Sequence, residues 1–124
     1  MTIEAFEGKP AIYAKTAAEW RKWLKMNTGK INSVWLIRYH KTSTVPCVNY
    51  EQAMEEALCY GWIDSKAKKR DAESFYLTFT PRNAKSKWSG PNRERAERMI
   101  AKGLMEQPGQ EMIDHAKATG KWEV

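Results

Sequence analysis

Apolar residues return along this chain at two intervals, and the intervals sort its segments into helices and strands. Ala17, Trp20, Trp23 and Leu24 recur at three- and four-residue steps, the spacing of one helix face. They follow Thr16-Ala17-Ala18-Glu19, a capping box in which a hydroxyl and a carboxylate satisfy amide groups at the helix start, and Asn27-Thr28-Gly29 ends the helix. Ala53, Met54, Ala57 and Leu58 mark a second helix that opens at Asn49, with Gln52 three residues on, and stops at Gly61. Two helices close the chain. One runs from Ser89 or Asn92 to Lys102 with Ala96, Met99 and Ile100 inward and Gly103 as its stop. The other follows Pro108-Gly109, carries Met112, Ile113 and Ala116, and ends at Gly120 before Trp122.

The remaining runs are strand-like. Ala11–Lys15 predicts a short strand, and the uninterrupted apolar start of Val34–Lys41 (VWLIRYHK) predicts a central strand buried on both faces. Trp62–Lys69 and Ser74–Thr80 read as a hairpin around Arg70-Asp71-Ala72-Glu73, its second strand alternating Phe75, Leu77, Phe79 with Tyr76, Thr78, Thr80. The order β-α-β-α-β-β-α-α predicts an α+β fold, a small and mostly antiparallel sheet of about four strands packed with helices.

Burial sets a register for the hairpin, because a one-residue slip turns every side chain to the wrong face. With Phe75, Leu77 and Phe79 inward, the partner strand offers Ile63, Ser65 and Ala67 to the core. The other face then carries Trp62, Asp64, Lys66 and Lys68 beside Tyr76, Thr78, Thr80 and, past the strand end, Arg82. Asp64 is expected to orient Arg82 through a bidentate pair. Behind Arg82 the loop FTPRNAKSKWSGPN (79–92) runs into a helix N-terminus, where free amides and the helix dipole favour an anion. Ser86, Ser89 and Asn92 offer short polar groups there. Arg93 and Arg95 stand in the first turn, an unfavourable place for cations unless a negative group answers them. The expected ligand-binding set is Trp62, Asp64, Tyr76, Arg82, Ser86, Trp88, Ser89, Asn92 and Arg93. A plainer reading of the same loop has Ser89 or Asn92 capping, Pro91 in the first turn, the arginines reaching into water and Trp88 plugging the core.

Charge sharpens this picture. The chain has 124 residues, a single domain's length, and a net charge of +6. Residues 66–98 hold ten lysines and arginines against four acids, which leaves the rest neutral. That concentration suits an anionic partner, a small anionic ligand first and nucleic acid second, although a solvated basic face is the commoner case. Acids alternate with the basic residues in the third helix, and no known nucleic-acid motif is present. Cys47 and Cys59 stand outside any CxxC or zinc spacing and are expected to be reduced, with no metal site and no cofactor implied. The N-terminus lacks a basic segment followed by an apolar run, and no window approaches the roughly 18 apolar residues of a membrane span. A cytoplasmic protein without membrane contact is expected. Catalytic constellations are thin. His40 and His115 lie outside recognisable motifs, a Cys59–His115 dyad competes with Cys59 as a small core residue, and no catalytic residue is assigned. A non-enzymatic binding domain is the leading expectation, and a small enzyme using Asp64, Arg82 and His40 is its rival.

Several separate stretches fall in an order that carries a resemblance. ALCYGWIDSK (57–66), FTPR (79–82), SKWS (86–89) with Asn92 three further on, GLM (103–105), PG (108–109) and the closing Ala116–Trp122 resemble the YdeI/OmpD-associated family of bacterial proteins. The resemblance spans residues 20–122 of one domain covering 1–124. Ser65 departs from the glycine usual after W-I-D in that family and should relax a tight backbone feature there, while Asp71 matches the pattern in the hairpin turn. The resemblance implies a role in bacteriocin or stress resistance. The porin in the family's name is not expected as a direct contact of a chain lacking an export signal.

Overall fold

A computed structural model describes residues 3–123. In chain order its elements are β1 (Ile3–Phe6), β2 (Lys9–Tyr13), α1 (Ala17–Asn27), β3 (Val34–Tyr39), α2 (Tyr50–Cys59), β4 (Trp62–Lys69), β5 (Ser74–Pro81), α3 (Gly90–Ala101) and α4 (Gln107–Ala118). The strands form one sheet in the order β1-β2-β3-β5-β4, antiparallel at every pair except β2 with β3. That parallel pair is joined through α1, since parallel neighbours need a crossover. The predicted α+β fold is therefore the observed one, with five strands. β1 falls outside the predicted elements because its four residues are too short a run to carry a period. The caps are those expected: Thr16 accepts from the Glu19 amide, Asn49 from the Gln52 amide and Ser89 from the Asn92 amide.

Val34, Trp35, Leu36 and Ile37 of β3 are all buried, so the sheet must be covered on both faces. Val34 and Leu36 join the main core with Ile12, Leu77, Phe79 and the tryptophans Trp20, Trp23 and Trp62. Trp20 stacks on Trp23 at 5.7 Å, and Trp62 meets Trp23 edge-on at 5.8 Å. Each buried indole needs an acceptor. Trp20 donates to the Ala53 carbonyl at 3.0 Å and Trp62 to the Thr28 hydroxyl at 3.1 Å.

The second face is covered by strand residues alone. Trp35, Ile37, Ala11 and Tyr76 pack there with Phe6, Tyr13 and Tyr39. Phe6 stacks on Tyr76 at 4.2 Å and meets Trp35 edge-on at 5.3 Å. The Tyr76 hydroxyl donates to Glu4 at 2.5 Å. In a flat sheet β1 and β5 would stand about 14 Å apart, three strand spacings, so the sheet rolls over its own second face. Its edges then meet through side chains, Glu4 with Arg70 at 2.8 Å and Glu7 with Lys68 at 2.8 Å.

α3 and α4 form a smaller core with Leu58, Trp88, Ala96, Ile113, Ala116 and Trp122. The start of α4 abuts the end of α2, where the Glu106 amide donates to the Cys59 carbonyl at 3.1 Å. The amide end of one helix thus faces the carbonyl end of another, the favourable order of dipoles. A Cβ at Gly109 would lie 2.4 Å from the Leu58 oxygen and 2.5 Å from the Cys59 oxygen. Only glycine fits. Arg21 of α1 clamps the same junction, donating to Glu56 at 2.7 Å, Glu106 at 2.9 Å and the Leu104 carbonyl at 2.7 Å.

Two outcomes follow from these contacts. Gly109→Ala should lose about 3 kcal/mol in chemical denaturation, the upper end of overpacking costs, because the obstructing atoms are backbone. Glu4 is held below the usual carboxylate range, chiefly by the Arg70 and Tyr76 hydrogen bonds. The stability it contributes is fully present above the ordinary value of 4.5 and is lost as pH falls through its lower folded value. In melts between pH 7 and pH 3, Glu4→Gln should therefore show a smaller acid-induced drop in Tm than the parent, with a difference of about 1 kcal/mol or less because the pair is part-exposed.

Candidate functional site

The expected site depends on the register of β4 against β5, and an extra residue changes it. Ala67, Lys68 and Lys69 stand opposite Leu77, Tyr76 and Phe75 as the burial argument requires, but a bulge lies between Asp64 and Ala67. It places Asp64 opposite Phe79 and Trp62 opposite Pro81. Such a bulge sets two residues against one and reverses the facing of everything beyond it. Trp62 and Asp64 consequently leave the face of Tyr76. Trp62 is wholly buried in the main core. Asp64 accepts a hydrogen bond from the Tyr50 hydroxyl of α2 at 2.9 Å, and burial together with that carboxylate raises the Tyr50 phenol. The expected Asp64–Arg82 pair is thereby corrected.

Arg82 is 8% exposed and lies over the Trp88 ring, 4.1 Å from its centroid. Its polar contact is a long one of 3.4 Å to the Lys87 carbonyl, and burial alone lowers its pKa. Trp88 faces the core, 3% exposed, with its amide donating to the Lys121 carbonyl and its ring 5.0 Å from that of Trp122. Ser89 caps α3, and Ser86 is exposed in a turn that its amide closes onto Asn83. Arg93 donates to the Trp122 carbonyl at 3.0 Å and the Trp88 carbonyl at 3.4 Å. Asn92 accepts from Arg95 at 2.7 Å, and Arg95 also holds Glu51 at 2.9 and 3.0 Å. The cations at the start of α3 are answered, but by carbonyls and by a carboxylate of α2. Of the nine residues expected to share a site, Arg82, Trp88 and Arg93 lie together around the C-terminal Trp122, while Trp62, Asp64 and Tyr76 belong to three other environments.

The basic excess of 66–98 is distributed in the same way. Lys68 pairs with Glu7, Arg70 with Glu4, and Arg95 and Arg98 with Glu51 and Glu55. Four of the ten cations that a local charge count reads as a positive surface are thus halves of ion pairs.

A different arrangement stands where the β4–β5 hairpin extends past the helices. A groove of about 620 Å³ is lined by His40, Ala67, Lys68, Lys69, Asp71, Ala72, Ser74 and Phe75. Register puts Phe75 between Arg38 of β3 and Lys69 of β4, so all three project from the same face. The His40 ring lies 5.3 Å from the Phe75 ring, and the Arg38 guanidinium 5.9 Å from its centroid. Arg38 Nε is buried without a hydrogen-bond partner. Asp71 is held below the usual carboxylate range by the Ser74 hydroxyl and the Glu73 amide, and its charge is turned toward the hairpin and Arg70. The floor is aromatic, and the rim carries Lys68, Lys69 and His40 with one carboxylate, Asp71. Sequence reasoning placed Phe75 inward and so passed over it; the available signal was that both of its register neighbours are cations.

Elsewhere, burial pushes the Cys59 thiol up to about 11, which leaves it protonated and poorly nucleophilic at neutral pH. His115 is exposed on α4. Among the described residues, no group of three or more His, Cys, Asp or Glu is placed to hold a metal ion, and no helix is long and apolar enough to cross a membrane. A double-mutant cycle checks the revised pairing. Asp64→Asn and Arg82→Lys should add to within about 0.5 kcal/mol, whereas Asp64→Asn and Tyr50→Phe should couple by about 0.5–1 kcal/mol, one part-exposed hydrogen bond.

With this geometry in place, comparison with known proteins adds one finding. The family model of a domain of unknown function, DUF8412, matches residues 12–112. No curated protein and no solved structure matches the chain. The match corrects the resemblance to YdeI/OmpD-associated proteins, and the bacteriocin or stress-resistance role and the porin link implied by that name fall with it. The motifs that carried the resemblance have a physical reason of their own. Gly61, Pro108 and Gly109 meet at the α2–α4 junction, Trp62 fills the core and Ser89 caps α3, so they are read here as requirements of the fold and not as marks of a shared activity. Running from β2 into α4, the match shows that this chain belongs to the DUF8412 family.

Proposed function

We propose that this protein is a non-enzymatic binding domain whose ligand is a small molecule joining a flat ring to an anionic group, held in the groove of His40, Lys69 and Phe75 with Arg38 beside it. The observation that carries the reading is the half-buried Phe75 ring between Arg38 and Lys69, neither of which has a carboxylate partner among the described residues. An aromatic floor favours stacking, and uncompensated cations on its rim favour a negative charge carried by the stacked molecule. The groove also lies at the carboxyl end of β3, the end of the sheet at which α1 and α2 both begin, so two positive helix ends face that side.

Nucleic acid is the second reading, supported by exposed Lys66 and Lys69 on the edge strand beside the groove. Against it stand the internal pairs that consume Lys68, Arg70, Arg95 and Arg98. Lysines on an exposed edge also serve to block strand-to-strand aggregation.

Calorimetric titration with salicylate and adenosine monophosphate, against benzyl alcohol and adenosine as uncharged controls, separates these cases. The anionic members should bind and the controls should not. Phe75→Ala and Lys69→Ala should each weaken binding about tenfold, the size of one stacking or charge contact. Silence across the panel, or unchanged affinity in both variants, would sink the proposal. A single-stranded oligonucleotide that binds with a steep salt dependence would assign the groove to nucleic acid instead.

A further inference from the structure

The opposite end of the sheet carries a second cavity of different chemistry. It measures about 570 Å³ and is walled by the β1–β2 turn, the α1–β3 loop and the end of β5. Lys9, Lys30, Asn32 and Ser33 supply its polar groups, Gly8 and Gly29 its open backbone, and no carboxylate of the described residues lines it. Neither lysine has an ion-pair partner among the described residues. The Ser33 hydroxyl is shut away from water with no hydrogen bond. An unmade hydrogen bond of this kind is rare in a folded protein and calls for a specific partner, and one staggered step about χ1 re-aims a serine hydroxyl.

Each feature has a local explanation that the others exceed. The carbonyl end of α1 accounts for a cation at Lys30, but not for a second one brought from the β1–β2 turn. The Trp35 ring, 5.8 Å below the Lys9 ammonium, accounts for Lys9, but not for the orphaned hydroxyl. Two cations of separate chain segments, a hydroxyl and a side-chain amide around one acid-free cavity make a donor set for a tetrahedral oxyanion.

We infer that this cavity is a phosphoryl-binding site, distinct from the aromatic groove and built from Lys9, Lys30, Asn32 and Ser33. A phosphoryl group fills a small part of 570 Å³, so the cavity accommodates either free phosphate or a phosphoryl group carried on a small polyol.

The test is an amide-resolved NMR titration of the full chain at constant ionic strength, with inorganic phosphate in one arm, ribose 5-phosphate in a second and chloride as the reference. Saturable shifts confined to residues 8–10 and 29–33 are expected, and Lys30→Ala and Ser33→Ala should each weaken binding at least fivefold. Lys30 is exposed, so its variant is expected to keep the parent's melting temperature. Tighter binding in the second arm identifies a carried phosphoryl group, and equal or tighter binding in the first identifies the free ion. Shifts that chloride reproduces, shifts that do not saturate, or affinity unchanged in both variants overturn the site. Residues 67–75 report on the aromatic groove in the same spectra, so either site can fail without the other.

Discussion

Everything in this fold answers to the four consecutive buried residues of β3, Val34–Ile37. A strand apolar on both faces cannot stand at the surface of a half-covered sheet. Helices solve one face in the usual way, with Trp20 and Trp23 of α1 and Met54 and Ala57 of α2 over Val34 and Leu36. No helix remains for the other face, since α3 and α4 are committed to the small core around Trp88 and Trp122. The sheet supplies the cover itself by rolling, and Phe6 is delivered onto Trp35 and Tyr76. Burial of these rings, each worth on the order of 2–3 kcal/mol, offsets the cost of bending the sheet and ordering its first strand.

The ion pairs follow from the same geometry. Glu4 and Glu7 find Arg70 and Lys68 because the roll brings the two edges together. Glu51 and Glu55 find Arg95 and Arg98 because α3 returns along α2. All are partly exposed, and such pairs contribute little individually. Together they pair four of the ten cations of residues 66–98 with acids from elsewhere in the chain. Cations beside Phe75 and around Ser33 are among those with no such partner among the described residues.

The elements other than β1 were legible. Capping residues and apolar spacing located all four helices, and the VWLI run of β3 announced its own burial on both faces. What the chain did not disclose was spacing in the third dimension. The bulge after Asp64 leaves no compositional trace, since Ser65 and Lys66 are ordinary strand-edge residues, yet it moves Trp62 and Asp64 off the face of Tyr76. The carboxylate that answers Arg95, Glu51, lies 44 residues upstream, so the arginine's charge at a helix start looked unanswered from the local sequence. Phe75 was read correctly as facing the helical side, but its place beyond the helices depends on how far the hairpin outruns them.

The rolled edge also orders the molecule in time. In the sheet β1 pairs with β2 alone, its Phe6 carbonyl also accepts from the Trp35 indole at 3.0 Å, and its contacts of Glu4 with Arg70 and Phe6 with Tyr76 join residues separated by more than half of the chain. A nascent chain can pair its first strand with β2 at once, but the contacts of that strand with Arg70 and Tyr76 wait for the β4–β5 hairpin. In the finished protein the same strand is the segment that opens at least cost, as elements with few backbone partners do. Its opening would bare Trp35, Tyr76 and a fresh β2 edge together, which makes the amide exchange of those residues a direct gauge of how often the native state exposes an adhesive surface.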